Sequence, residues 1–210
     1  MWLEVGSVEA ALPRPTHQRV TRAVGRKQRE KGEDVAMAYV ALLHLILGPW
    51  ASGKSTLVKR LAELLPEHVV FDWDLIIPGL SLTADRDVFT DPSTWKGLHV
   101  TWFAIISAVL RGGHDVVLCC WVEPGEIPSD VIDQEHIRVA FLDCPDDVLR
   151  ARLSARGESV ENIHDEIAEA AKLRHSPYFR LDGTRDPDAL AKDAAAWVLS
   201  AKLSQPRYTS

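Results

Sequence analysis

A chain of 210 residues can bury one substantial core, and 46% apolar with 26% charged residues is an ordinary globular balance. A formal net charge of −6 argues against general attraction to nucleic acid, and no apolar run nears the roughly 20 residues that span a bilayer. Residues 1–20 lack a secretion signal's apolar stretch, and three cysteines do not make a disulfide framework, so a reducing cytoplasm is expected.

Residues 1–36 carry seven Lys or Arg and five Asp or Glu with little apolar periodicity, and are expected to form a flexible N-terminal extension. A start-site artefact and a functional basic arm are the two further readings of this segment. The compact domain is expected over 37–210, since Met37 directly precedes the apolar run "AYVALLHLIL". Within that run, 39–47 reads as a buried strand, where His44 is expected to be a hydrogen-bonded core residue.

"GPWASGKST" follows and matches G-x-x-x-x-G-K-S, the phosphate-binding loop pattern. Gly48 and Gly53 bracket Pro49, Trp50, Ala51 and Ser52, leaving backbone N–H groups able to turn toward phosphate oxygens. A helix predicted from Lys54 to Leu65 adds the anion preference of its N-terminus. Lys54 would contact the β- and γ-phosphates, Ser55 would ligate Mg²⁺, and Thr56 completes the loop.

The second strand, 68–72, ends in "VVFDWDLI". Ligands bind beyond the carboxyl ends of strands in open α/β sheets, so Asp72 and Asp74 should face the phosphates. One carboxylate would hold the water shell of Mg²⁺ and the other would accept a proton from an attacking hydroxyl. Helix capping or a solvated turn is the plain alternative. The segment from Ile76 to Trp95 shows no pattern that converts to chemistry.

A helix is expected over Ser93–Arg111, with Trp95, His99 and Trp102 at helical spacing and best read as a core stripe. Trp50 and Trp73 lie inside the two signature loops, where an aromatic wall for a ring-bearing acceptor is the sharper reading. Strand 115–121 contains Cys119 and Cys120, adjacent residues expected on opposite faces as packing groups. No Asp ends this strand where a Walker B carboxylate often stands; Glu123 is a candidate substitute, with a surface turn residue the preferred reading.

Strand 137–143 leads into "CPDDVLRARLSARG", where Arg152 and Arg156 share a helical face and can direct two guanidinium groups at phosphates. Ordinary surface arginines are the competing reading. Further helices are expected at Val160–His175 and Asp188–Leu203, with a short strand at 178–182 between them. Strand–helix alternation of this kind predicts an α/β, three-layer P-loop NTPase fold: a five-stranded, mostly parallel sheet flanked by helices.

Taken together, "GPWASGKST", "FDWD", "LDCPDDVLRARLSARG" and "FRLDGT" resemble the small P-loop kinases related to adenylate, shikimate and gluconate kinases, over about Ala41 to Leu199. The resemblance implies that Asp72 serves the metal and Asp74 accepts the proton. It also implies that Arg152 and Arg156 open a short lid, around 150–175, and that Gly183 and Thr184 border the adenine. The expected activity is Mg-ATP-dependent transfer of the γ-phosphate to a hydroxyl or phosphate of a small molecule, with ATP and Mg²⁺ as cofactors. The partner is then a small-molecule phosphate acceptor, with neither nucleic acid nor membrane expected. An ATP-binding or hydrolysing regulatory protein and a polynucleotide 5′-hydroxyl kinase are the alternatives.

Overall fold

A computed structural model describes residues 40–77, 81 and 91–204. The expected extension at 1–36 and most of the segment from Ile76 to Trp95 lie outside the described residues.

Five strands, β1 (Leu43–Leu47), β2 (Val69–Asp72), β3 (Val116–Cys120), β4 (Ile137–Asp143) and β5 (Phe179–Asp182), form one sheet in the order β2-β3-β1-β4-β5. Every pairing is parallel. β1 and β3 are buried along their whole length, which is why their sequences, LHLIL and VVLCC, are runs rather than alternations. Parallel pairing needs crossovers, and helices supply them on both faces. These are α1 (Lys54–Leu64), α2 (Pro92–Arg111), α3 (Asp146–Ala155), α4 (Val160–Arg174) and α5 (Pro187–Ser204).

One apolar layer joins Leu43, Leu45 and Leu118 of the sheet to Trp102 and Ile106 of α2 and Leu173 of α4. The opposite layer joins Ile46, Val117 and Ala140 to Leu57 and Leu61 of α1 and Trp197 of α5. Helix starts follow local chemistry. Asp91 accepts from Ser93 N at 3.0 Å ahead of α2, and Ser159 accepts from Asn162 N at 3.1 Å ahead of α4, caps of the kind that contribute about 1 kcal/mol. At the amino edge of the sheet, buried Asp115 accepts from Leu42 N at 2.8 Å and tethers the entry of β1 beside β3.

The register sets the functional edge. Leu47 is level with Cys120 and Phe141, Asp72 with Cys119, and Asp143 with Asp182. The loops leaving β1, β2, β3 and β5 therefore emerge together at the carboxyl ends, around the central strand β1. Among the described residues, no helix is long and apolar enough to cross a membrane.

Candidate active site

The turn after β1 is forced by close packing. A β-carbon on Gly48 would sit 2.8 Å from Ser52 Oγ and 3.3 Å from the Leu142 carbonyl oxygen, so only glycine fits. Gly53 caps α1 with φ 111°, and Ala51 holds φ 60° without glycine's freedom. A non-glycine residue in that region costs about 1 kcal/mol or more and is typical of ligand-clamping loops. Lys54 Nζ donates to the carbonyls of Gly48 (2.7 Å) and Pro49 (3.0 Å), lying across the loop it belongs to. Burial lowers its pKa, and nearby acidic groups, Asp74 among them, oppose that.

In front of the loop is a polar cavity of about 270 Å³, whose walls include Gly53, Lys54, Ser55, Thr56, Asp74 and Arg156. Ser55 supplies a hydroxyl, a hard oxygen donor that suits Mg²⁺ held jointly with phosphates and water, and Asp74 a carboxylate beside it. Asp72 contributes differently. Its Oδ1 accepts from Asp74 N at 3.2 Å, capping the single 3-10 turn Trp73–Ile76 that aims Asp74. Burial raises the Asp74 pKa, the Asp72 charge raises it further, and Lys54 pulls it back.

The two arginines on one helical face have separate surroundings. Arg152 Nη1 donates to the carbonyls of Ala51 and Ser52, both at 3.2 Å, and Nη2 to Gly183 at 3.2 Å. It thereby ties the glycine-rich loop to the turn after β5. Arg156 is exposed and lines the polar cavity together with a second one of about 220 Å³. That second cavity is bounded by Gly53, Thr56, Arg156, Gly183, Arg185 and Pro187, a suitable flank for a nucleotide base. A β-carbon on Gly183 would clash with Cys144 Sγ and stand 2.8 Å from the Asp143 carbonyl oxygen. Thr184 does not line this cavity; its N and Oγ1 bond Asp182 Oδ1 at 2.9 and 2.6 Å and shape the turn.

On the other side of Trp50 lies an apolar cavity of about 310 Å³, walled by Trp50, Trp73, Trp95, Leu98 and Trp121, with Glu166 and Glu169 at its α4 side. Trp73 stacks on Trp102 with ring centroids 5.6 Å apart, and Trp102 Nε1 donates to the Trp73 carbonyl at 2.9 Å. The stripe expected on α2 is thus divided. Trp102 is core at 1% exposure, whereas Trp95, at 41%, belongs to the cavity wall.

Glu166 escaped the sequence reading. Its Oε2 accepts from Trp50 N at 2.6 Å, joining α4 to the phosphate loop. Burial raises its pKa, against the Trp50 N–H and Lys54, which lower it. Acidic residues on an amphipathic helix give no sign of which one reaches a loop 116 positions away. Arg185 and Pro187 were also missed, and only their nearness to "LDGT" hinted at them.

The cysteines are all free and buried; burial pushes the Cys120 thiol up to about 12, so it stays protonated. His44 is buried, as expected, and His164 and His175 are exposed. Glu123 is exposed, in a turn where its N–H donates to Glu126 Oε2 at 2.8 Å.

A parallel sheet in this order, with the glycine-rich loop leaving its central strand, is the P-loop kinase fold. The chain matches no protein-family model and no curated protein by sequence. Solved structures do match. A gluconokinase from Sinorhizobium meliloti superposes with a TM-score of 0.53 at 16% identity, over 80% of this chain and 99% of that one. A shikimate kinase from Acinetobacter baumannii, in complex with shikimate, gives 0.53 at 18%, over 79% and 97%. A chain of an RNA repair complex gives 0.52 at 17%, over 68% of this chain and 48% of that one. Likeness at these identities establishes the shared fold.

Proposed function

We propose that the protein is a phosphotransferase that moves the γ-phosphoryl group of Mg-ATP to a hydroxyl of a small molecule. One observation carries this reading: consecutive residues of a single turn serve two adjoining cavities, Trp73 the apolar one and Asp74 the polar one beside Lys54 and Ser55. A protein that only hydrolyses ATP has no use for an apolar chamber next to its phosphate site with a carboxylate at the junction. The gluconokinase and shikimate kinase folds support the reading at a coarse level.

In this mechanism the loop N–H groups and the start of α1 bind the phosphate tail, with Lys54 against the transferred group. Mg²⁺, which the Ser55 hydroxyl would help to hold, would supply neutralising charge to the phosphate oxygens. Asp72 holds the turn in place. Asp74 accepts the proton of the acceptor hydroxyl as the acceptor oxygen forms its bond to γ-phosphorus. The bond from γ-phosphorus to the bridging oxygen breaks, and ADP keeps that electron pair. Arg156 neutralises charge on the migrating group, the role expected of both arginines; Arg152 acts as a positioning residue for the loop.

Asp74→Asn tests the reading. ADP release driven by acceptors should fall by about 10²–10⁴-fold while Mg-ATP binding, followed by calorimetry, persists. Transfer at the parent rate in this variant would remove the proposed base.

A further inference from the structure

Resting on the phosphotransferase reading, we infer that the acceptor is an organic cation: a ring-bearing or similarly apolar body carrying a protonated amine. The site is the cavity of about 310 Å³ beside the phosphate loop. Its apolar wall has four indoles, Trp50, Trp73, Trp95 and Trp121, with Trp95 and Trp121 at a centroid distance of 5.9 Å and Trp73 and Trp121 at 6.1 Å. Indole faces carry negative potential and attract ammonium groups more strongly than other aromatic rings do.

The only charged residues lining it, among the described residues, are Glu166 and Glu169. Among the described residues no Lys or Arg lines it to receive a carboxylate or phosphate, so these walls offer an anionic acceptor no compensating partner for its lost water.

The two carboxylates contribute unequally. Glu166 already accepts the Trp50 N–H through Oε2, which orients it and joins acceptor chamber to phosphate loop. Glu169 accepts from Lys172 Nζ at 2.9 Å, so this lysine competes with an incoming amine for the same oxygen. The geometry therefore gives opposite signs for two changes, at half-buried Glu169 and exposed Lys172: Glu169→Gln weakens amine binding, and Lys172→Ala strengthens it.

Tyramine, tyrosol and 4-hydroxyphenylacetate share one phenol ring and differ in bearing an ammonium, a neutral hydroxyl or a carboxylate. Their binding to the full chain without nucleotide, read by tryptophan fluorescence and calorimetry, is expected in that order, with tyramine about tenfold tighter than the acid. Glu169→Gln should shrink the tyramine preference several-fold with tyrosol unmoved, and Lys172→Ala should enlarge it. Equal or tighter binding of the acid, no binding of any of the three at millimolar concentration, or a preference indifferent to both substitutions overturns the inference. ADP release, measured separately on the same compounds and on acidic sugars, distinguishes the two readings. Ordered amine binding with no transfer to any hydroxyl defeats the phosphotransferase reading alone, and phosphorylation of acids with amines unbound defeats the cation assignment alone.

Discussion

Arg152 and Arg156 are four positions apart on one helical face and look equivalent in sequence, yet they meet different surroundings. Arg152 borders the cavity of about 220 Å³ but spends its donors on three carbonyls of two separate turns, whereas Arg156 is exposed and lines both polar cavities. Arg152→Ala should leave those carbonyls short of a charged donor, at a cost of about 2 kcal/mol and several degrees of Tm. Arg156→Ala should leave Tm within a degree or so of the parent and lower phosphate transfer by at least about a hundredfold. Thermal melts beside ADP-release assays check both. If the Arg156 variant melts early and the Arg152 variant does not, the division of labour is reversed.

At the scale of elements, α4 is linked to the phosphate loop through Glu166 and clamped to the end of β4 through Arg174, which pairs with Asp143 at 2.8 Å and Asp146 at 2.6 Å. The Glu166 link has a calculable sign. Burial first, then neighbouring carboxylates, hold its pKa above the unfolded value, so folding favours the protonated form. The stability this group contributes is complete below the unfolded pKa of about 4.3 and is lost as pH rises through the higher folded value. Glu166→Gln keeps an acceptor for Trp50 N and should raise Tm at neutral pH, and the gap should close as pH falls toward 4.3. A gap that widens on acidification would contradict the assignment. The turn after β5 is a second element-level constraint. Gly183→Ala places a methyl group against the Asp143 carbonyl, so the variant should lose about 1–3 kcal/mol, visible as an earlier urea midpoint.

For the whole molecule, binding to the folded form alone stabilises it by mass action. Mg-ATP at one hundred times its Kd should add about 2.7 kcal/mol to unfolding free energy, and chelating the magnesium should remove most of that gain. Lys54→Ala should abolish the response. Net charge bears on the acceptor as well. With −6 overall, transfer to a small cation should decline only modestly with salt, whereas a polynucleotide acceptor would show the steep decline of counterion release.

Much of this was legible without coordinates, because the signals are local. Apolar runs, several of them continuous, located all five strands: those at 39–47, 68–72, 115–121, 137–143 and 178–182 contain β1 to β5. Glycine and proline punctuation located the helix ends within a residue or two, with Gly157 at φ 79° closing α3. Gly48, Gly53, Lys54 and Ser55 declared themselves through spacing, since a loop that wraps phosphate is built from consecutive backbone groups. What sequence could not separate were residues whose role depends on distant partners. Asp72 and Asp74 took their separate roles from resemblance alone, and only the 3-10 turn showed Asp72 accepting from the Asp74 N–H and Asp74 lining the cavity. Trp95 and Trp102 share a helical stripe, but only the packing of Trp73 and Trp121 decided which is core and which is wall. Glu166 reaches Trp50 across 116 positions, and such a meeting depends on how α4 lies over the sheet rather than on any local pattern. Short-range periodicity and spacing thus determined the elements and the phosphate loop. The acceptor chamber, its charge and the division of the arginines came from tertiary packing, because they join groups that are neighbours only once the chain has closed.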